Sequence, residues 1–225
     1  MSKETLTILI EDDCIIVVYK PAGLAVQSAK VGQPDCVSIL KEHIKKSTPK
    51  MKGEPYLGVV HRLDQPVAGL LVFAKNRHSA ADLSRQVQNM NMKKGYLALV
   101  EGIVDAPKDL KLTDMMYKDS RKSMSVIADP SASDIKLQEA VLVYRTKKIY
   151  TEENRTLLSV QLVTGRFHQI RAQLSHMNHP IVGDVKYGAA SSYPKGIALV
   201  ADWLEFIHPQ TGEKIEKSVD FSFGL

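Results

Sequence analysis

VVHRLDQPVAGLLVFAKN, residues 59–76, places three polar side chains, His61, Arg62 and Asp64, shortly before a strongly apolar segment. The apolar part, GLLVFAK at 69–75, predicts a buried strand, because a short apolar run bounded by turn residues is typical of a strand inside a core. A loop that such a strand holds rigidly is a common location for catalytic side chains. A solvated turn, in which Asp64 caps the structure and Arg62 faces water, is the alternative interpretation of these residues alone.

The remainder of the chain contains many strand-like runs and few helical ones. Apolar residues at 167, 170, 174 and 177 have helical spacing, whereas the β-branched run at 14–19 favours a strand. The pattern predicts an α+β fold with a mixed, mainly antiparallel central sheet flanked by helices, in a single domain spanning residues 1–225. The predicted strands are 8–10, 14–19, 69–75, 96–101, 124–127, 140–144, 156–163 and 197–207, and the predicted helices are 37–46, 79–90 and 167–177.

Composition places the chain among soluble, folded proteins. Its 225 residues are 44% apolar and 24% charged, so it can bury a sizeable core. The net charge of +5 and the sequence pI of about 9.0 permit a polyanionic partner without requiring one. Cys14 and Cys36 form no CxxC pair, so we expect buried free thiols. The acidic start and the lack of a long apolar run predict a cytoplasmic protein without membrane contact.

LVTGRFHQIRAQLSHMNHPIVGDVKYG, residues 162–188, groups basic side chains at the start of a predicted helix. Arg166, His168 and Arg171 fall in its first turns together with Gln169. The positive end of the helix dipole favours anions there, so helix stability does not explain these cations, whereas an anionic partner would. The histidines of this segment have no carboxylate or thiol at ligand spacing, so we expect no metal.

KKGYLALVEG, residues 93–102, places Tyr96 on a third apolar run. A tyrosine packed in the core or at a sheet edge is the ordinary interpretation of such a position. Tyr96 gains a functional interpretation only when this run is taken together with the other two segments.

Five segments in chain order resemble the RluA family of pseudouridine synthases over most of the sequence. They are ILIEDDCIIVVYKPAGLAVQ at 8–27, HRLD with GLLVFAK at 61–75, KKGYLALVEG at 93–102, TGRFHQIRAQLSHMNHPIVGDVKYG at 164–188 and ADWLEFIHPQTG at 201–212. The chain departs from the family pattern at Val67-Ala68, usually Thr-Ser, at Phe167, usually small and polar, and at Ala172-Gln173, usually Val-His. Many members also carry an N-terminal S4-like RNA-binding domain, which we do not expect here.

The resemblance implies a pseudouridine synthase catalytic fold with a central cleft, built from two halves that share one sheet. The implied activity is the isomerisation of specific uridines to pseudouridine in structured ribosomal or transfer RNA, with an RNA stem-loop as the partner. The reaction involves no redox change and no net hydrolysis, so we expect no cofactor. We also expect a monomer.

The resemblance assigns roles to single residues. Asp64 would be the nucleophile, paired with Arg171 or, as a second choice, with Arg166. Tyr96 would stack on the uracil and help to move its C5 proton. Arg62 would fill the space that the flipped base leaves, or would contact a phosphate. The other candidates for RNA binding are His61, Arg166, His168 and Gln169.

Two basic clusters outside these motifs either follow an RNA backbone or form solvated faces, and both interpretations remain open. The first consists of Lys41, Lys45, Lys46, Lys50 and Lys52, and the second of Lys118, Arg121 and Lys122.

Two other classes of function compete with a synthase. A glycoside hydrolase or nucleosidase would need a second carboxylate as general acid, for which Glu54 and Asp184 are the candidates. An RNA chaperone would keep the fold without catalysis, and the intact HRLD run ending at Asp64 argues against it.

Overall fold

The computed structural model describes residues 5–28, 32–50, 52–129, 136–194 and 196–224. Over these ranges the chain forms eleven β-strands and three α-helices, together with a short 3-10 helix at Val185–Tyr187. In chain order they are β1 Thr7–Glu11, β2 Ile15–Lys20, α1 Cys36–Ser47, β3 Gly58–Val59, β4 Ala68–Ala74, α2 Arg77–Gln88, β5 Lys93–Glu101, β6 Leu110–Asp119, β7 Met124–Ile127, β8 Gln138–Tyr150, β9 Arg155–Leu162, α3 Gln169–His176, β10 Leu199–Ile207 and β11 Lys214–Ser218.

The elements group into two compact units. The first consists of Met1–Lys93 and Ala201–Asp220, and the second consists of Lys94–Val200 and Phe221–Leu225. The first unit contains β1 to β4, α1, α2, β11 and most of β10. The second contains β6 to β9, α3 and most of β5.

Strand β4, AGLLVFA, lies inside the sheet of the first unit. All seven of its residues are buried. The strand order is β1-β2-β4-β10, and β3 and β11 pair with β4 and β10 respectively. A strand covered on both faces needs apolar side chains on both, which explains its unbroken apolar run. The core around it includes Ile15, Val17, Leu70, Val72, Leu204 and Phe206.

Both helices of the first unit begin at a side-chain cap. Asp35 accepts a hydrogen bond from the backbone N–H of Ser38 at 2.7 Å, and the Ser38 hydroxyl accepts one from the backbone N–H of Asp35 at 3.0 Å. This reciprocal capping box fixes the start of α1. Asn76 accepts in the same way from the backbone of Ser79 at 2.8 Å and fixes the start of α2.

The second unit is an antiparallel sheet with α3 packed on it. The strand order is β5-β9-β8-β6-β7, and each neighbouring pair has antiparallel register. Ala172 of α3 packs in one buried cluster with Met116 of β6, Ala140 of β8 and Tyr187. The sheet therefore supports the helix that carries the basic side chains noted in the sequence.

The predicted α+β fold with a mainly antiparallel sheet is confirmed. Every strand pair with a described register is antiparallel, and the three predicted helices form within two residues of their expected starts. Both cysteines are free and buried, as expected. No helix in the described ranges is long and apolar enough to cross a membrane. The single domain over 1–225, with two halves sharing a sheet, stays a prediction.

The sequence reasoning missed β3, β6 and β11 and shortened β8. Along β6 most side chains remain at least partly exposed, and only Met116 is buried, so the apolar alternation that marks a strand is weak. β11 alternates exposed and half-buried residues at a sheet edge and contains only one apolar residue, Ile215. The third helix starts at Gln169 rather than at Phe167, because His168 adopts a left-handed conformation with φ 49°.

Gly69 is the point at which β4 tolerates no side chain. Its φ is +133°, and a Cβ atom there would lie 2.3 Å from the carbonyl oxygen and 2.5 Å from the nitrogen of Ala201. Both atoms belong to backbone, so neither can swing away. Glycine is required here by conformation and by close approach together.

We predict that Gly69→Ala lowers the free energy of unfolding by about 3 kcal/mol or more, since it combines a strained φ with a backbone clash. Gly212→Ala is the matched control, because φ there is +73° but a Cβ would meet no described atom within 4 Å. That control should lose only about 1 kcal/mol. Urea unfolding of both variants checks this, and equal losses would contradict the close approach to Ala201.

Candidate active site

The HRLD loop of the first unit is anchored to β4 by His61. The imidazole is buried, and its Nε2 accepts a hydrogen bond from the backbone N–H of Val72 at 3.1 Å. Because that N–H can only donate, Nε2 carries no proton and the neutral ring is protonated at Nδ1. Leu63 is also buried. His61 therefore holds the start of the loop, and its ring is not presented to solvent.

Asp64 is half-buried between fixed backbone groups. Its carbonyl accepts from the backbone N–H of Val67 at 3.0 Å, which closes a turn before β4. The next residue, Gln65, exchanges two hydrogen bonds with Gly23: its carbonyl accepts from the glycine N–H at 2.8 Å, and its amide donates to the glycine carbonyl at 3.0 Å. The backbone that carries the Asp64 carboxylate is thus held from both sides.

Lys20 is a fully buried lysine beneath this loop. Its ammonium donates to the carbonyls of Pro21 at 3.1 Å, Leu24 at 2.8 Å and Gln65 at 3.1 Å. Burial lowers the pKa of Lys20 to about 8, against the influence of Cys36 and Asp64, which raises it. One cation therefore ties the Lys-Pro-Ala-Gly turn to the loop that carries Asp64.

Arg62 is exposed, whereas His61 and Leu63 on either side of it are buried. Its side chain is exposed, and it makes no hydrogen bond or ion pair with any residue that the structure describes. A guanidinium with five N–H donors that stays in water is available to an external acceptor.

Tyr96 and Arg171 lie in the second unit and are both buried. Tyr96, on β5, is 6% exposed and sits opposite Val160 of β9. Arg171, on α3, is 5% exposed and forms a bidentate pair with Asp184, with Nε–Oδ2 at 2.7 Å and Nη2–Oδ1 at 2.9 Å. Asp184 is 1% exposed. Two parallel charge-assisted hydrogen bonds fix the plane of the guanidinium.

Tyr187 supports the same arginine from another side. The Arg171 guanidinium carbon lies 4.9 Å from the centre of the Tyr187 ring. The Tyr187 hydroxyl accepts from the backbone N–H of Ser125 at 2.8 Å and lies 2.9 Å from Nδ1 of His168. The His168 ring stacks on Phe167 with centroids 3.8 Å apart. Arg171 and His168 are therefore parts of one packed network.

Gln169 and Arg166 are engaged within the second unit. The Gln169 amide oxygen accepts from Thr164 Oγ1 at 2.9 Å and from the Arg166 backbone at 3.0 Å, and its amide nitrogen donates to Val141 and Gln173. Gln169 is 3% exposed. The hydrogen bonds of the Gln169 amide therefore hold the loop before α3 in place. Half-buried Arg166 donates from Nε to a backbone carbonyl, that of Glu139, at 2.9 Å.

The predicted site residues fall into one group in each unit. His61, Arg62 and Asp64 share the loop before β4, while Arg166, His168, Gln169 and Arg171 share the loop before α3 and its first turn. Sequence reasoning gave no role to Lys20 or Tyr187 and took Asp184 only as a possible acid. A charged residue ending a fully apolar strand was the available signal for Lys20. Among the described residues, no group of three His, Cys, Asp or Glu side chains could hold a metal ion.

Two solved structures, both titled as RNA pseudouridylate synthase domains, share this arrangement of strands and helices. The structure titled "Human RNA Pseudouridylate Synthase Domain Containing 1" matches with a TM-score of 0.76 and 22% identity, over 97% of this chain and 84% of that one. A second, "Human RNA Pseudouridylate Synthase Domain Containing 4", matches with a TM-score of 0.74 and 23% identity, over 96% and 88%. At these identities the likeness establishes the fold.

Sequence comparison establishes the family. Residues 14–176 match the family model described as RNA pseudouridylate synthase. "Ribosomal large subunit pseudouridine synthase D" of Xanthomonas campestris pv. campestris is 35% identical over 95% of this chain and 65% of its own length. "Ribosomal large subunit pseudouridine synthase C" of Buchnera aphidicola subsp. Baizongia pistaciae is 33% identical over 92% and 64%.

This chain belongs to the RNA pseudouridylate synthase family. The resemblance to RluA-type synthases that the motifs suggested is confirmed at that level. The chain spans a little less than two thirds of the length of the first curated relatives it matches.

We predict a pH signature for the buried Lys20. Its pKa is about 8 in the folded protein, whereas the ordinary pKa of a lysine is 10.5, so between these pH values the unfolded state binds more protons. The free energy of unfolding should therefore rise with pH from about 8 to 10.5, relative to Lys20→Met, by about 3 kcal/mol in all. Urea unfolding of both proteins at pH 7 and pH 10 measures it. If the free energies of unfolding of wild type and Lys20→Met differ by the same amount at pH 7 and at pH 10, a buried ammonium with a lowered pKa is contradicted.

Proposed function

We propose that this protein is an RNA pseudouridine synthase that isomerises specific uridines in ribosomal RNA, with Asp64 as the nucleophile. The observation that carries the proposal is the placement of Asp64. Its carboxylate stands half-exposed on a loop that Lys20 and Gly23 hold through the Gln65 carbonyl. Relatives named as ribosomal large subunit pseudouridine synthases support ribosomal RNA as the substrate class.

The chemistry needs a carboxylate but no oxidant and no net consumption of water. Asp64 attacks or stabilises ribose C1′ as the bond from C1′ to uracil N1 breaks. The freed uracil turns, C1′ joins C5, the proton leaves C5 and N1 ends protonated. Atoms and electrons balance within the nucleotide, so we propose that no cofactor takes part.

Arg171 is proposed to keep Asp64 ionised and oriented. Its guanidinium has five N–H donors, and Asp184 accepts two hydrogen bonds from it, through Nε and Nη2. An arginine whose plane is fixed by Asp184 and Tyr187 can present another edge to a second carboxylate without reorganising. Arg166 remains the second choice for this role, although its Nε bonds a backbone carbonyl.

Of the other site residues, some are proposed to contact the RNA and others to hold the loops that carry those contacts. Tyr96 is proposed to stack on the uracil and to assist transfer of the C5 proton. The exposed Arg62 is proposed to fill the space of the flipped base or to contact a phosphate. Arg166 and His168 are proposed to face the RNA. His61 and Gln169, both buried, are proposed to support the two loops from inside.

We propose that residues 1–225 form one catalytic domain and that both groups of site residues serve the same substrate. The partner is an RNA stem-loop, because a base in a loop costs less to extrude than a stacked one. The protein is proposed to act as a cytoplasmic monomer.

A glycoside hydrolase is the less favoured alternative. It needs a second carboxylate as proton donor, and Asp184 is buried in its pair with Arg171. Glu54, the other candidate, is exposed and lies 3.2 Å from the ammonium of Lys45. Release of free uracil from RNA would favour the hydrolase over the synthase.

We predict that Asp64→Asn lowers turnover by about three orders of magnitude or more, because an amide cannot act as the nucleophile. Turnover is followed as tritium released from RNA labelled at uracil C5. Fold and most RNA binding should persist, and exposed Asp13→Asn serves as the matched control with unchanged turnover. Turnover of Asp64→Asn within about tenfold of wild type, or about 1.4 kcal/mol of barrier, would contradict the assignment.

We predict that Arg171→Ala lowers kcat by about 100-fold or more, whereas Arg62→Ala chiefly weakens RNA binding, by about tenfold. The change also leaves Asp184 buried without its partner, which costs about 3–5 kcal/mol, so Arg171→Lys is assayed beside it and folding is checked by circular dichroism. Single-turnover tritium release separates kcat from binding. If Arg166→Ala abolishes turnover and Arg171→Ala is mild, the arginine has been misassigned.

A further inference from the structure

Lys94 is a partly buried lysine at the start of β5, next to the site residues of the second unit. It stands two positions before Tyr96, so the two side chains project from the same face of the strand, about 7 Å apart along it. Its neighbour Lys93 projects from the other face, is exposed and pairs with Glu205 at 2.7 Å. Two adjacent lysines of equal charge thus have different surroundings.

The ammonium of Lys94 makes no hydrogen bond and no ion pair with any residue in the described ranges. Burial alone lowers its pKa, with no carboxylate acting in the opposite direction. A lysine withdrawn from water without a counter-charge destabilises the folded protein. Local packing therefore does not account for Lys94, whereas an anion that arrives from outside would.

The ammonium lies against the loop that precedes α3. A Cβ atom built at Gly165 would be 3.5 Å from Lys94 Nζ, so the cation sits over the backbone of that glycine. Gly165 is itself exposed, which leaves a route for a ligand to approach the ammonium. Arg166, the next residue, adds a second positive charge to the same loop.

We propose that Lys94 binds a backbone phosphate of the RNA, at or next to the nucleotide that Tyr96 contacts. The inference rests on the proposed function, because Tyr96 marks where the uracil lies. An anionic oxygen, rather than a neutral carbonyl of the base, is the group that neutralises a partly buried ammonium. Lys94 would then fix the position of the backbone and leave the chemistry to other groups.

The test compares Lys94→Met with Lys93→Met, which removes the same charge at the neighbouring position. Both are placed in the Asp64→Asn background and titrated with unmodified bacterial large-subunit ribosomal RNA at three salt concentrations. Lys94→Met should bind about tenfold more weakly at low salt, the size of one charge-assisted hydrogen bond. Its slope of log K against log salt should be shallower than that of the parent by about 0.7, the value for one phosphate contact on a single strand. Lys93→Met should change both quantities less.

A stability measurement separates binding from a structural role. Lys94→Met keeps the apolar stem and removes an unpaired cation, so its free energy of unfolding should equal or exceed that of wild type. A loss of stability in Lys94→Met would overturn the proposal, because the lysine would then be needed for the fold. An unchanged salt slope, or equal effects of the two methionine variants, would also overturn it.

Turnover distinguishes this inference from the proposed function. In the active background, Lys94→Met should raise KM for the RNA and leave kcat nearly unchanged, as a phosphate contact predicts. A wild-type protein that releases no tritium from any labelled RNA refutes the synthase. A wild-type protein that turns over while Lys94→Met keeps its KM and its salt slope refutes the phosphate contact alone.

Discussion

The buried ammonium of Lys20 is the contact on which the candidate site depends. It collects three carbonyls at 2.8 to 3.1 Å, one of them from Gln65, and so joins the end of β2 to the residue after Asp64. Burying a charge costs free energy, and the hydrogen bonds to three carbonyls offset that cost at Lys20. Because Lys20 links a buried strand to the polar loop, it fixes the backbone next to Asp64.

The second unit also buries a cation, and there an ion pair with a carboxylate stabilises it. Arg171 and Asp184 bury opposite charges in bidentate contact, and Tyr187 covers the guanidinium while its hydroxyl reaches Ser125 and His168. A lysine could not replace this arginine, because only a planar guanidinium forms two parallel hydrogen bonds to one carboxylate. In both units a buried cation is held by acceptors of the protein itself, three carbonyls for Lys20 and one carboxylate for Arg171.

The fold and the motif positions were accessible from the sequence because they rest on local patterns. The apolar run at 69–75 predicts a buried strand, and β4 forms there at Ala68–Ala74. The partners of the charged residues were not accessible, since they depend on tertiary approach. Lysines are rarely buried, so the position of Lys20 at the end of an apolar strand did not by itself predict a buried ammonium. The resemblance implies that Gln169 contacts RNA, yet its amide makes its hydrogen bonds inside the second unit.

The central claim is that this protein rearranges a uridine without releasing its base. The most direct test incubates purified protein with unmodified large-subunit ribosomal RNA, maps pseudouridine along the RNA by sequencing after chemical labelling, and assays the supernatant for uracil. The account predicts new pseudouridine at one or a few defined uridines, with no free uracil and no added cofactor. Free uracil in proportion to the uridines lost, or an RNA without any pseudouridine, would contradict it.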